Sequence, residues 1–160
     1  MMRKAGISVA VGLALLLSVS AALAQSGHFL TGGRNAAQCF DIGTQVRCSG
    51  AVAGLGGTTF EITIEADGIA EVECTNPGGN VAPGQDTSVT VEGTTDPQPT
   101  PKNGRHNFTI DSASPDPLPP TPTCPNAGWT ATIVDVQFST ATLSLFEDGV
   151  LSDQVVVVVQ

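Results

Sequence analysis

The sequence has no tyrosine, one tryptophan, and six lysine or arginine residues against fifteen aspartate or glutamate residues. Arg3 and Lys4 stand near the start, so beyond residue 24 four basic residues face fifteen acidic ones, a net charge of −11. Such a chain cannot neutralise a run of phosphates, which excludes an electrostatic nucleic-acid binder. The 18 glycines, 11 prolines and low charged fraction of 13% leave little material for long helices. No C-x-x-C is present, and His28 and His106 lie far from any partner with metal-ligand spacing. No G-x-S-x-G elbow, H-E-x-x-H or P-loop occurs either. His28 sits in a glycine-rich stretch, and His106 falls on the inward side of a strand beside Phe108, so neither reads as a catalytic base. A carboxylate pair for glycoside chemistry would lack aromatics to stack a sugar, with Trp129 alone. The absences point to contact rather than catalysis, and an enzyme is not expected.

What is present begins with a basic start at Met1–Lys4, an apolar run from Ile7 to Val19, and Ala22-Leu23-Ala24 before Gln25. This predicts a secretory signal peptide over 1–24, cut between Ala24 and Gln25. A membrane anchor would need about 20 apolar residues. Gly6, Gly12, Ser18 and Ser20 interrupt a shorter run, and the later run Val155–Val159 is far too short. No cysteine follows the cleavage point to carry a lipid. The expectation is a secreted protein without a membrane span, extracellular, or periplasmic where the source has an outer membrane.

Four cysteines, Cys39, Cys48, Cys74 and Cys124, follow the leader, an even number suited to an oxidising compartment. Four cysteines allow three pairings. Hairpin geometry favours one of them. Gly43-Thr44 suits the centre of a type II′ turn, which sets Ile42 against Gln45, Asp41 against Val46, Phe40 against Arg47 and Cys39 against Cys48. The cysteines then fall on a non-hydrogen-bonded pair, where Cα atoms approach to about 4.5 Å. Cys74–Cys124 follows by elimination.

Residues 25–37 are glycine-rich and polar and predict a loose N-terminal arm; 38–160 predict one domain. There the apolar period is two, not 3.6. Gln45–Ala53, Thr58–Ala66, Ala70–Thr75, Ser88–Glu92, Arg105–Asp111, Gly128–Phe138, Ala141–Phe146 and Val155–Val159 read as strands. Gly128–Phe138 is apolar on both faces and predicts a central strand, bulged near Asp135. The expected fold is all-β, an antiparallel immunoglobulin-like sandwich of about eight strands with two disulfides. A small barrel is the runner-up. Nine of the prolines fall between Pro97 and Pro125, in two long loops whose readings are rigid connector or recognition surface. Pro117–Pro120 matches P-x-x-P, but such motifs are read by intracellular domains. Asn107-Phe108-Thr109 is a sequon that matters only in a glycosylating host.

A turn at Asp67-Gly68-Ile69 would fold Thr58–Ala66 back on Ala70–Thr75 and set Glu65 against Glu71, with Glu61 and Glu73 nearby. Opposed like charges destabilise, and Ca²⁺ would relieve them, so these four glutamates are a candidate calcium face. The plain alternative is a solvated acidic face.

The runs Cys74-Thr-Asn-Pro-Gly-Gly-Asn80, Ala82-Pro-Gly-Gln85, Asn103-Gly104, Cys124-Pro-Asn126 and Trp129-Thr-Ala-Thr-Ile133 resemble those of a group of small secreted bacterial proteins, frequent in actinobacteria. The likeness covers roughly residues 48–146. It implies a secreted β-rich domain with a Cys74–Cys124 bridge, and it brings no activity, ligand or site residue. The expected function is a secreted, non-catalytic binding or structural module for an extracellular or envelope partner, with the loops at 94–104 and 112–128 as its surface. A secreted inhibitor or ligand carrier is the alternative, and a hydrolase the least favoured. Val155–Val159, apolar, is a candidate exposed edge and a route to association.

Overall fold

The computed structural model describes residues 26–160, so the leader and the Ala24–Gln25 cleavage point lie outside the described residues. Strands β1 (His28–Phe29), β2 (Gln38–Asp41), β3 (Val46–Ala53), β4 (Thr59–Thr75), β5 (Val81–Pro83), β6 (Thr87–Thr94), β7 (Gln98–Pro99) and β8 (His106–Asp111) come first. A helical turn, α1 (Pro120–Thr123), precedes β9 (Thr130–Glu147) and β10 (Val150–Val158). They form two antiparallel sheets, of four and six strands. In the smaller, β3 is central, with β1 and β2 along one edge and β8 along the other. In the larger, β9 lies between β10 and β4, while β7, β6 and β5 share the far edge of β4. The sheets also meet at their sides. The amide of Ala113, just past β8, donates to the carbonyl of Glu92 in β6, and Cys39 in β2 bridges in parallel to Val159 after β10.

The eight expected strands become ten because two pairs fuse and four short strands join. The larger fusion corrects the expected turn at Asp67–Ile69. Residues 59–75 run straight through as β4, 17 residues and about 56 Å at strand rise. Sequence parity explains this. Phe60, Ile62, Ile64, Ala66, Ala70, Val72 and Cys74 are all buried and all even-numbered, so no turn is needed to keep them on one face. Gly68 occupies the remaining even position under Val136 and Phe138. A Cβ there would lie 2.5 Å from the Val136 Cγ1 and 2.8 Å from the Phe138 Cδ1.

The second fusion makes β9, which pairs with β4 along its length. Two register shifts interrupt the ladder, one leaving Val134 and one leaving Ser139 as the extra residue. Each shift flips the side-chain phase. Ala131 and Ile133 therefore point inward, then Val136 and Phe138, then Ala141, Leu143 and Leu145. The two-faced apolar pattern of 128–138 is thus a change of phase, located beside the expected Asp135 bulge. It does not mark a strand covered on both faces: Val134 is exposed.

The β2–β3 hairpin has the expected register, with Cys39 opposite Cys48, and the two are bonded with Cα atoms 4.1 Å apart. Gly43 takes the positive φ its turn requires. Cys74 and Cys124 form the second bridge, at a Cα separation of 5.7 Å. The segment expected as a loose arm is instead attached. Phe29 is buried against the Phe108 ring, β1 pairs with Val52 and Ala53, and Leu30 and Asn35 exchange backbone hydrogen bonds with Ala51. Phe29 and the partly buried Ala37 pack on the core, and backbone hydrogen bonds tie down the residues between them. No described helix is long and apolar enough to cross a membrane.

Candidate functional site

Loop 94–104 lies along the larger sheet. The Ile62 amide donates to the Thr95 hydroxyl, the Thr95 amide to the Ile62 carbonyl, and the Thr100 amide to Thr58, while β7 pairs with Thr59 and Phe60. These contacts tie Thr95, Gln98, Pro99 and Thr100 to the edge of β4.

Loop 112–128 is held at its ends and open between them. Ser112 is buried where the sheets meet; its hydroxyl accepts from the Val46 amide and its own amide donates to the Val46 carbonyl. At the far end, the Gln85 amide donates to the Thr123 carbonyl and Cys124 is bonded to Cys74. Between these ends Pro115, Pro117, Pro119 and Pro120 have no N–H to pair, so the chain crosses as an extended strap. Leu118 turns inward against the core.

Beneath the strap is a groove of about 270 Å³. Pro115, Pro117 and Leu118 form its wall, and Ala131, Thr132 and Ile133 of β9 its floor. Thr44, at the β2–β3 turn, closes one end beside Ser114, their hydroxyls 3.4 Å apart. The lining is apolar with hydroxyls and contains no titratable group. It can hold an apolar or extended uncharged ligand. It offers no base to activate either hydroxyl. Larger depressions, of about 630 and 540 Å³, lie along the β4–β6 pair. They follow the ladder itself, where the Thr90 hydroxyl donates to Asp67; the first is lined by no residue of 112–128 and the second meets that segment at Ala113.

The glutamates expected to converge do not. Glu61, Glu65, Glu71 and Glu73 all lie on the single strand β4, and Glu65 is six residues from Glu71, about 20 Å along it. Glu65 faces Glu92 of β6, Glu71 faces Asp135 of β9, and Glu61 accepts from the Thr94 hydroxyl. Among the described residues no group of three or more histidines, cysteines or carboxylates is arranged to hold a metal. His28 is exposed, and His106 is half-buried with its ring 5.0 Å from that of Phe60.

One carboxylate that the pattern reading passed over is central to the structure. Glu147 is wholly buried at the end of β9. Its Oε1 accepts from the amides of Gly56 (2.6 Å) and Gly57 (3.0 Å), its Oε2 from the Gly27 amide (2.9 Å) and the Ser152 hydroxyl (2.7 Å). Burial alone would raise its pKa. The hydrogen bonds from Ser152, Gly57, Gly56 and Gly27 outweigh that and hold it below the usual glutamate range. Neighbouring Asp148 is likewise lowered by the amides of Thr58 and Thr59. Parity was the available signal: Leu143, Leu145 and Glu147 share the inward phase. On the opposite sheet, Arg47 and Asp111 form a bidentate, exposed ion pair that raises the first pKa and lowers the second, mainly through their hydrogen bonds.

The runs Cys74–Asn80, Ala82–Gln85, Cys124–Asn126 and Trp129–Ile133 gather around the Cys74–Cys124 bridge, whereas Asn103-Gly104 lies beside Leu55, whose amide donates to the Gly104 carbonyl. The Asn76 side chain accepts from the Asn80 amide, the Asn126 side chain from Gly128, and Gly84 donates to the Val72 carbonyl. No protein-family model matches the chain, and no significantly similar curated protein or solved structure was found.

Proposed function

We propose that the protein is a secreted, non-catalytic binding module that takes an apolar or extended uncharged segment of an extracellular or envelope partner into the groove beneath residues 112–128. The observation that carries this reading is the groove itself: a strap pinned at both ends over an open, apolar, uncharged floor. Rigid loops on a two-sheet body, immunoglobulin-like sandwiches among them, are suited to present such a surface. Two disulfides fit an oxidising, extracytoplasmic compartment.

The test is retention of a partner from the producing cell's own envelope and culture fluid, compared with Pro117→Asp. Pro117 is exposed, so the substitution puts a charge on the wall without disturbing the core. The expected result is a partner retained by the natural protein and lost by the variant at unchanged melting temperature. Equal retention by both, or no partner for either, overturns the reading.

A further inference from the structure

The edge of β9 that faces away from β4 is covered along part of its length. β10 pairs there from Thr140 to Glu147, and the Val136 amide donates to the Gly43 carbonyl in the β2–β3 turn. Beyond that turn lie Ile133 and Ala131. Their partners in β4 are Val72 and Cys74, and the Val72 carbonyl accepts from the Gly84 amide on the far side of β4. Val72–Ile133 and Cys74–Ala131 are therefore pairs of the non-hydrogen-bonded kind, in which each strand directs its amides and carbonyls away from the other. Ala131 and Ile133 each present an amide and a carbonyl to the open edge, and no described residue bonds any of these groups.

The open edge expected at 155–159 is instead taken: β2 meets it at 158–160, and the Asp153 carboxylate accepts from the Phe29 amide of β1. Natural sheets blunt open edges with proline, charge or cover. β5 carries Pro83 and β7 carries Pro99, whereas residues 130–134 carry neither proline nor charge and are mostly β-branched. Their cover is the strap, which leaves a gap. The groove is lined by Ala131 and Ile133, whose side chains point inward, and also by Thr132, whose side chain points outward. A strand shows both phases to one cavity at its edge. Thr44, next to the Gly43 that holds Val136, closes the groove at that end.

We propose that the segment taken by the groove is an extended peptide of a partner protein, added to this edge of β9 as an antiparallel strand. The proposal rests on the groove reading and names the form and chemistry of its occupant. Two alternate residues of the segment exchange backbone hydrogen bonds with Ala131 and Ile133, about four bonds in all. Opposed side chains of an antiparallel pair share a face, so those two enter the groove beside Leu118 and are apolar. The residue between them faces outward beside Thr132 and is free to be polar. Antiparallel is the orientation of every ladder in both sheets, and it is the stronger pairing per residue. Charge sets the flanks. Asp116 stands on the strap between the wall prolines, Asp135 lies two residues past Ile133, and no basic residue lines the groove. The segment is therefore basic on either side of its apolar pair.

The experiment titrates protein recovered from its own cells with the end-capped peptide Lys-Ser-Val-Thr-Val-Ser-Lys to about 1 mM, by calorimetry. Amide exchange is read at Ala131 and Ile133 with and without the peptide. Binding is expected, with exchange at both amides slowed in the complex. Methylating the backbone nitrogens of the two valines removes the donors to the Ala131 and Ile133 carbonyls and should weaken binding tenfold or more. Methylating that of the threonine, which points away from β9, should leave it nearly unchanged. Ala131→Pro removes a donor at an edge position where a strand tolerates proline, and should also weaken binding tenfold. If that variant does not fold by near-ultraviolet circular dichroism, the methylated peptides carry the test alone. No binding up to about 1 mM overturns the proposal. So does binding that ignores methylation of the valines, that is lost on methylation of the threonine, or that leaves both amides exchanging freely. Binding that Pro117→Asp abolishes but valine methylation spares keeps the groove and removes the added strand, so the two readings fail separately.

Discussion

The two ends of the β4–β9 ladder are built from the same kind of strand and secured in different ways. From Phe60 to Ala66 the inward side chains meet a second sheet. Ile62, Ile64, Leu143 and Leu145 are fully or almost fully buried in one cluster with Val46, Val52 and Phe108. Each such side chain contributes about 1.5–3 kcal/mol. From Ala70 to Cys74 the smaller sheet reaches the ladder at its β2–β3 turn, where the Gly43 carbonyl accepts from the Val136 amide opposite Ala70. The cover there is Gly84, which approaches the Cys74 sulfur and Val72, together with Leu118 of the strap and Cys124. Where apolar contact is plentiful, hydrogen-bonded polar groups such as Glu147 trim the end. Where it is scarce, a covalent bridge and a row of prolines take over. The long ladder is therefore one piece of secondary structure with two sources of stability.

The largest test of that contrast is removal of the bridge. Cys74→Ser with Cys124→Ser should cost about 4 kcal/mol, the chain-entropy value for so long a loop. Cys39→Ser with Cys48→Ser, closing a short hairpin, should cost about 2.7 kcal/mol on the same basis. Amide exchange locates the effect: loss of Cys74–Cys124 should speed exchange at Val72 and Ile133 far more than at Ile64 and Leu143. Uniform acceleration along the ladder would dissolve the distinction between its ends.

Next in size is Glu147→Ala, which leaves three amides and the Ser152 hydroxyl without their acceptor and should cost about 3 kcal/mol by denaturant unfolding. The pH dependence has a definite sign. The folded-state pKa of Glu147 is depressed, so its contribution is present above the ordinary glutamate pKa and is lost as pH falls through the lower, folded value. Glu147→Gln should flatten that part of the acid limb. An unchanged acid limb would assign it to the other lowered carboxylates, Asp111 and Asp148.

The smallest effect is expected between the two ends. Gly68→Ala places a methyl group within 2.5 Å of Val136, an overpacking cost of about 2 kcal/mol. Its exchange signature should centre on Gly68 and Phe138 and spread to both ends alike.

The parts of this structure legible in the sequence are those fixed within a few residues. Gly43-Thr44 set the register of Cys39 and Cys48 because ten residues and one turn type define a hairpin. The alternation of Phe60 to Cys74 was equally plain, yet Asp67-Gly68 carries a turn signal, and a local rule gave a break where unbroken parity gave none. Gly68 is in β4 because of what Val136 and Phe138 occupy, some seventy residues away. The phase of β9 was hidden for the same reason, since a bulge shows itself only against its partner strand. Of the candidate site, the prolines of the strap were visible; its floor was not. Ala131 and Ile133 lie beneath it through the Cys74–Cys124 bridge and the stretch of ladder before the Val134 bulge, both long-range facts.

The two bulges of β9 have a consequence for how this gene can change. Residues 130–147 of β9 pair with residues 60–75 of β4, so β9 carries two residues more than its partner segment, Val134 and Ser139. Loss of either one alone would turn its bulge into a regular stretch of ladder and leave Ala131, Ile133, Val136, Phe138, Ala141, Leu143 and Leu145 all facing inward. Loss of both would restore one unbroken phase with every apolar residue still inward. The two bulges are the places where this strand can shed a single residue and keep its inward face, whereas a loss elsewhere puts part of that face out of phase.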